Sequence, residues 1–221
     1  MKTFTSSRVL LLTRPFYENP TNYLYHWSIP IIELARSKQL RVVDLSKAKA
    51  NRVELEGRLK KVNPRLVMFN GHGTSKAILG QDGQVIIEQG KSEPLLTGRI
   101  VYVRACQTAK TLGKSCIKRK TDAFIGYKED FIFISDKDKT IQPLKDKTAA
   151  LFLEPSNLVV KSLIKGNSAQ KAYDKSRAAF LKRIRQLLVS GTSPEDTTLV
   201  RYLIWDRQQQ VCLGNPKASL N

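Results

Sequence analysis

Acidic residues and histidines are both scarce in this 221-residue chain. Only 19 aspartates and glutamates face 38 lysines and arginines, which leaves a net charge of +19 and a pI near 10.0. A field of that sign favours anionic partners: nucleic acid, acidic lipid or an acidic protein. There are two imidazoles, His26 and His72, and three cysteines, Cys106, Cys116 and Cys212. Their spacings match no zinc pattern, so no metal site is expected. An odd number of thiols cannot all pair, and free cysteines fit a reducing compartment. Long apolar runs are missing as well. The longest blocks, such as Val9–Thr13, are strand-sized and far short of the roughly 18 residues of a membrane span. Arg8 interrupts the N-terminal stretch, which argues against a secretory signal, and the expected location is the cytoplasm. Gly71-His72-Gly73 has no glycine three positions on. Neither a dinucleotide fingerprint nor a P-loop is present, and no cofactor is expected.

What is present is globular: 41% of residues are hydrophobic, too many for a disordered chain. Strand and helix signals alternate. Arg8–Arg14, Arg41–Leu45, Arg65–Asn70, Arg99–Ala105 and Ala123–Tyr127 read as short buried strands, with a hairpin of Ala77–Leu79 and Gln84–Ile87 around Asp82-Gly83. Asp130–Ile134 is a candidate extension or partner of the fifth strand, and the charged stretch Asp136–Lys147 a candidate mobile loop. Leu24, Trp27, Ile31, Leu34 and Ala35 keep helical spacing, with Pro30 either starting or kinking that helix; Leu55, Leu59 and Val62 mark a second helix closed by Asn63-Pro64. A basic helix follows from about Ala109 to Lys118. Thr148–Leu153, Asn157–Lys165 and Ser168–Val189 read as three more, and Ser193-Pro194-Glu195-Asp196 as the start of a last one running to about Trp205, before a short strand Gln209–Leu213. The order implies an α/β fold with a mostly parallel sheet and helices on both faces. No internal linker divides it, so residues 1–216 are expected as one domain and 217–221 as a short tail.

In open parallel sheets reacting groups gather at the carboxyl ends of strands. His72 leaves the third strand between two glycines, and Cys106 leaves the fourth. On neighbouring strands these side chains share one crevice, as nucleophilic catalysis requires: a thiolate attacks a carbonyl while an imidazole manages the proton. Gly73 leaves a backbone N–H open to a developing oxyanion.

These motifs resemble the caspase-like cysteine peptidases of clan CD, and in particular their prokaryotic CHAT and gingipain-like branch. Phe69-Asn70-Gly71-His72-Gly73 is similar to the family's strand followed by His-Gly, and Val101-Tyr102-Val103-Arg104-Ala105-Cys106 to its apolar strand ending in Ala-Cys. Leu112-Gly113 follows, as in CHAT, and Ala123-Phe124-Ile125-Gly126-Tyr127 is similar to the next family strand. Gln210-Val211-Cys212-Leu213-Gly214-Asn215-Pro216 resembles the closing strand, with Asn215 in place of Asp. The resemblance implies a caspase-like three-layer sandwich and a cysteine endopeptidase acting on protein or peptide substrates. It makes His72 the general acid/base, Cys106 the nucleophile and the N–H groups of Gly73 and Cys106 the oxyanion hole. No Asp or Asn partner for the histidine is evident. By analogy it also implies a place in prokaryotic antiviral defence or cell death, with a regulatory or activating protein partner.

The caspase Gln-Ala-Cys-Arg-Gly is absent, because Arg104 stands for Gln and Gln107-Thr108 for Arg-Gly; cleavage after aspartate is therefore not implied. Glu129 or Asp130 is placed to receive a basic P1 residue, and Arg14 an acidic one; the basic residue is preferred. The basic clusters at Lys110, Lys114, Lys118, Arg119 and Lys120 and along Lys171–Arg185 keep a second reading open. In it, a catalytically silent module binds nucleic acid or an acidic partner.

Overall fold

The computed structural model describes residues 7–189 and 194–220. Six strands form the central sheet: β1 (Ser7–Arg14), β2 (Arg41–Ser46), β3 (Pro64–Asn70), β6 (Ile100–Arg104), β7 (Ala123–Tyr127) and β8 (Gln210–Gly214), in the order β2-β1-β3-β6-β7-β8. All pairings are parallel except β7 with β8. A separate hairpin of β4 (Ala77–Leu79) and β5 (Val85–Glu88) lies between β3 and β6 in the chain.

Alternation along the strands sorts the core into two layers. Leu10, Leu12, Leu66, Met68, Ile100, Tyr102 and Ile125 face α1 (Asn19–Trp27), α2 (Ile29–Ser37), α5 (Lys147–Ile164) and α6 (Ala169–Val189). Leu11, Val67, Phe69, Val101, Val103 and Phe124 face α3 (Arg52–Val62), α4 (Leu112–Lys118) and the hairpin. Both faces are covered, which is why these strands are continuous apolar runs. A third cluster packs α7 (Pro194–Gln209) onto α5 and α6 through Phe152, Phe180, Ile184, Val200 and Leu203. Ser193, expected as the cap of α7, lies outside the described residues.

The structure decides between the two readings of Pro30 and departs from the sequence expectations at three other places. Pro30 does not kink one helix; it opens a second one. Its ring has no N–H to give and crowds the carbonyl of His26, so α1 ends at Trp27, α2 begins at Ile29, and Ser28 turns its hydroxyl back onto Leu24 O at 2.7 Å. Pro155, by contrast, does not divide α5. Phe152, Leu153, Val159, Val160 and Leu163 are buried on either side of it, and burial worth about 1.5–3 kcal/mol per side chain outweighs the ~3 kcal/mol cost of the proline.

Asp130–Ile134 forms no strand. The segment leaves the sheet and is strapped to α7, whose Trp205 Nε1 donates to Asp130 O at 2.8 Å and whose Asp206 Oδ1 accepts from Ile132 N at 3.0 Å. The charged stretch 136–147 is tied down despite its polarity. Buried Asp146 accepts from Tyr23 Oη and from Asp136 N, both at 2.8 Å, and caps α5 through Ala149 N at 2.9 Å, while Trp27 Nε1 donates to Pro143 O at 3.0 Å. The C-terminal tail folds back over the domain, with Ala169 N donating to Ala218 O at 2.8 Å and Ala218 buried.

Candidate active site

The ladder between β3 and β6 pairs Asn70 with Arg104. His72 and Cys106 each lie two residues beyond that pair, so they leave neighbouring parallel strands, about 4.8 Å apart, at the same height. Two glycines let the first turn sit this close. Gly71 has φ 134°, and a Cβ there would meet Leu79 O at 2.8 Å. A Cβ on Gly73 would meet Thr108 Cγ2 at 2.5 Å and Cys106 O at 2.7 Å. The His-Gly backbone therefore rests directly on the Ala-Cys backbone.

The hairpin fixes this turn from outside. Leu79 N donates to His72 O at 3.0 Å and Thr74 N to Ala77 O at 2.9 Å, an antiparallel bridge that leaves the Gly73 N–H unused. Among the described residues no backbone acceptor takes the N–H of Gly73 or of Cys106. Backbone donors without an acceptor are the kind of group that can hold an oxyanion.

His72 and Glu18 are each about two-fifths exposed, and His72 Nε2 is bonded to Glu18 Oε1. Glu18 sits just before α1, where Thr21 Oγ1 accepts its N–H at 3.1 Å. A proton on Nε2, given to the carboxylate, leaves Nδ1 as the basic nitrogen of the ring.

The half-buried Cys106 directs Sγ toward Phe131 O at 3.9 Å. Burial pushes its thiol up to about 11, and the charge of nearby Asp130 adds to the rise. At neutral pH the thiol is protonated, so it would act as a nucleophile only with a base to take its proton.

Of the candidate substrate-binding residues, Asp130 is the exposed one, and it accepts from Gln107 Nε2 at 3.0 Å. Glu129 is paired with Lys110 Nζ at 2.9 Å. Arg14 is 7% exposed. Its guanidinium is engaged by both carboxylate oxygens of Asp44, by Tyr25 O at 3.1 Å and by the Tyr25 ring at 4.1 Å. That engagement leaves it poorly disposed to receive an acidic side chain. Among the described residues no group of three or more His, Cys, Asp or Glu is arranged to hold a metal ion.

Three features escaped the sequence reading. Glu18 carries a signal only in retrospect: an acid just past a strand end, on the strand that turns out to neighbour that of His72. Arg104, in the strand before Cys106, is wholly buried; burial pushes its guanidinium down to about 10, still charged at neutral pH. Asp206 is wholly buried too, with Oδ2 unpartnered, and burial raises its carboxyl well above the usual range.

No protein-family model and no curated protein matches the sequence. Solved structures do match. The crystal structure of the Arg-specific cysteine proteinase gingipain R superposes with a TM-score of 0.64 at 12% identity, covering 96% of this chain and 47% of that one. The fold is caspase-like. The complex of the Porphyromonas gingivalis RgpB pro- and mature domains gives a TM-score of 0.59 at 9% identity, covering 96% and 50%. At these identities the likeness is one of fold, and the chain spans about half the length of the chains it matches. In this caspase-like sheet, His72 and Cys106 occupy the carboxyl edge of β3 and β6. No helix among the described residues is long and apolar enough to cross a membrane.

Proposed function

We propose that the protein is a cysteine endopeptidase in which Cys106 is the nucleophile and His72 the general acid/base. The observation that carries this reading is the matched register of the two residues beyond the Asn70–Arg104 pair, with Gly73 packed on the Cys106 carbonyl. His72 Nδ1 takes the thiol proton as Sγ bonds to the scissile carbonyl carbon. The oxyanion is held by the N–H groups of Gly73 and Cys106. The protonated imidazole then gives its proton to the leaving amine, and a thioester remains. Water, deprotonated by the same ring, attacks the thioester and releases the acid and the thiol. Glu18 orients the ring throughout and offsets its positive charge.

Asp130 is the group proposed to receive a basic P1 side chain, being exposed and beside Cys106, while Arg14 is already engaged. The Arg specificity of gingipain R supports the same choice. A regulatory or activating protein belongs to the proposal, in analogy to the complex of pro- and mature domains.

The test is hydrolysis of fluorogenic Arg, Lys and Asp peptides by the protein and by Cys106→Ala, followed by a thiol-reactive peptide probe. Turnover of the Arg or Lys peptide, lost in Cys106→Ala and reduced in Asp130→Asn, is the expected result. Equal turnover by the protein and Cys106→Ala removes Cys106 as nucleophile. Silence towards peptides and probe, with steeply salt-dependent binding to nucleic acid, would establish the non-catalytic reading instead.

A further inference from the structure

Beneath the candidate site lies a buried cation without a counter-ion. The Arg104 side chain is 0% exposed, and among the described residues no carboxylate pairs with it. Its fork is saturated by neutral oxygens. Nε and Nη2 share Asn70 Oδ1 at 3.0 and 2.7 Å, and Nη1 reaches Asn157 Oδ1 at 2.7 Å and Ser156 Oγ at 3.4 Å. Nη2 also reaches Leu24 O at 3.1 Å and Ser28 Oγ at 3.2 Å.

A buried guanidinium is costly, and a carboxylate is the usual remedy. Here the geometry forbids one. The Asn70 amide turns its Nδ2 to Thr13 O, and the Asn157 amide its Nδ2 to Trp27 O, both at 2.7 Å. Each position needs an acceptor toward Arg104 and a donor toward a carbonyl, which an amide supplies and a carboxylate does not. The hub therefore joins places that no other single side chain could span.

We propose that Arg104 is the positioning residue of the dyad, a reading that rests on the function proposed above. Through Asn70 it fixes the end of β3 two residues before His72. Through its own backbone it fixes β6 two residues before Cys106. Through Leu24 O and Ser28 it fixes the far end of α1, the helix that follows Glu18. All three members of the candidate site are thus referred to one rigid fork. Lysine cannot replace it, because a single ammonium lacks the planar spread to hold Asn70, Asn157 and Leu24 at once.

The experiment compares the full chain with Arg104→Lys and with the milder Asn157→Ala, each checked for a cooperative melt. With the peptide the protein cleaves, Arg104→Lys is expected to lower kcat about 100-fold, as misplacement by an ångström does, with KM within about threefold of the parent. A folded Arg104→Lys chain with undiminished kcat overturns the proposal. If Arg104→Lys fails to fold, Asn157→Ala decides: a fall in kcat at constant KM supports the hub, and an unchanged kcat overturns it. If the protein cleaves none of the peptides, labelling of Cys106 by the thiol-reactive peptide probe is compared with and without His72→Ala. Labelling that depends on His72, and is slowed by the hub variants, supports the proposal. Labelling that depends on His72 but is untouched by the variants overturns the hub alone. Labelling indifferent to His72 overturns the dyad, and the hub with it.

Discussion

Glu18 holds His72 by its Nε2 nitrogen, although 54 residues separate the two in the chain. The contact exists because β1 pairs with β3, so that the turn after one strand faces the turn after the other. A carboxylate on that nitrogen sets both the tautomer and the ring plane. Replacing it tests whether the histidine works as a base. Glu18→Ala is expected to reduce kcat/KM about 10-fold, less than the ~10²–10⁴ that a positioned base itself contributes. Peptide hydrolysis by a chain of unchanged melting temperature is the measurement, and undiminished kcat/KM would remove Glu18 from the site.

Gly73 packs against the turn of Cys106, and it has no room for a methyl group. Gly73→Ala forces a Cβ to within 2.5 Å of Thr108 Cγ2 and 2.7 Å of Cys106 O, and the second neighbour is backbone that cannot swing aside. Overpacking of this kind costs about 1–3 kcal/mol. Thermal melting is expected to report that loss. Hydrolysis is expected to fall further than stability explains, because the displaced atom is the carbonyl of Cys106, the proposed nucleophile.

Asp206 gives a pH dependence whose sign is fixed. Its folded-state pKa is raised by burial, so the folded chain holds this proton to higher pH than the unfolded chain, which ionises above about 4. The unfolded state then binds fewer protons, and stability falls as pH rises above that value. Asp206→Asn keeps the acceptor for Ile132 N and never ionises. Its melting temperature should match the parent's near pH 4 and exceed it at pH 8. Equal curves at both pH values would contradict the assignment. Asp206→Leu removes the acceptor and should cost about 1–3 kcal/mol, releasing the strap over Cys106.

The cysteines act in the alkaline range. Burial carries the thiols of Cys106 and Cys212 up to about 11 and that of Cys116 to about 12. Between about 9 and those values the unfolded chain has lost protons that the fold retains, so stability should decline as pH climbs from 9 to 11. Urea melts across that interval measure it, and Cys116→Ala should flatten the decline. Iodoacetamide should modify Cys106 slowly at pH 7 and faster as the thiolate fraction grows.

The parallel sheet was legible from its buried apolar strands, and so was the placement of His72 and Cys106 at strand ends, because burial on two faces and punctuation by glycine are local properties of a sequence. Pro155 and Asp130–Ile134 were misread for the opposite reason. A proline looks like a stop until flanking side chains are buried on both sides, and an apolar stretch looks like a strand until helix α7 offers Trp205 and Asp206 as competing partners.

The polar interior followed the same division. That Arg104 stands two residues before Cys106 is plain in the chain, but nothing there says that Asn70, Leu24, Ser28 and Asn157 would surround it. Local physics, the alternation of apolar and polar residues and the freedom of glycine, determined the strands and the exposed chemistry. Which carboxylate meets which imidazole, and which neutral oxygens satisfy a buried cation, depended on strand order and helix docking. Those are settled only when the whole core closes, because desolvation makes each unsatisfied polar group costly and leaves few arrangements in which none remains.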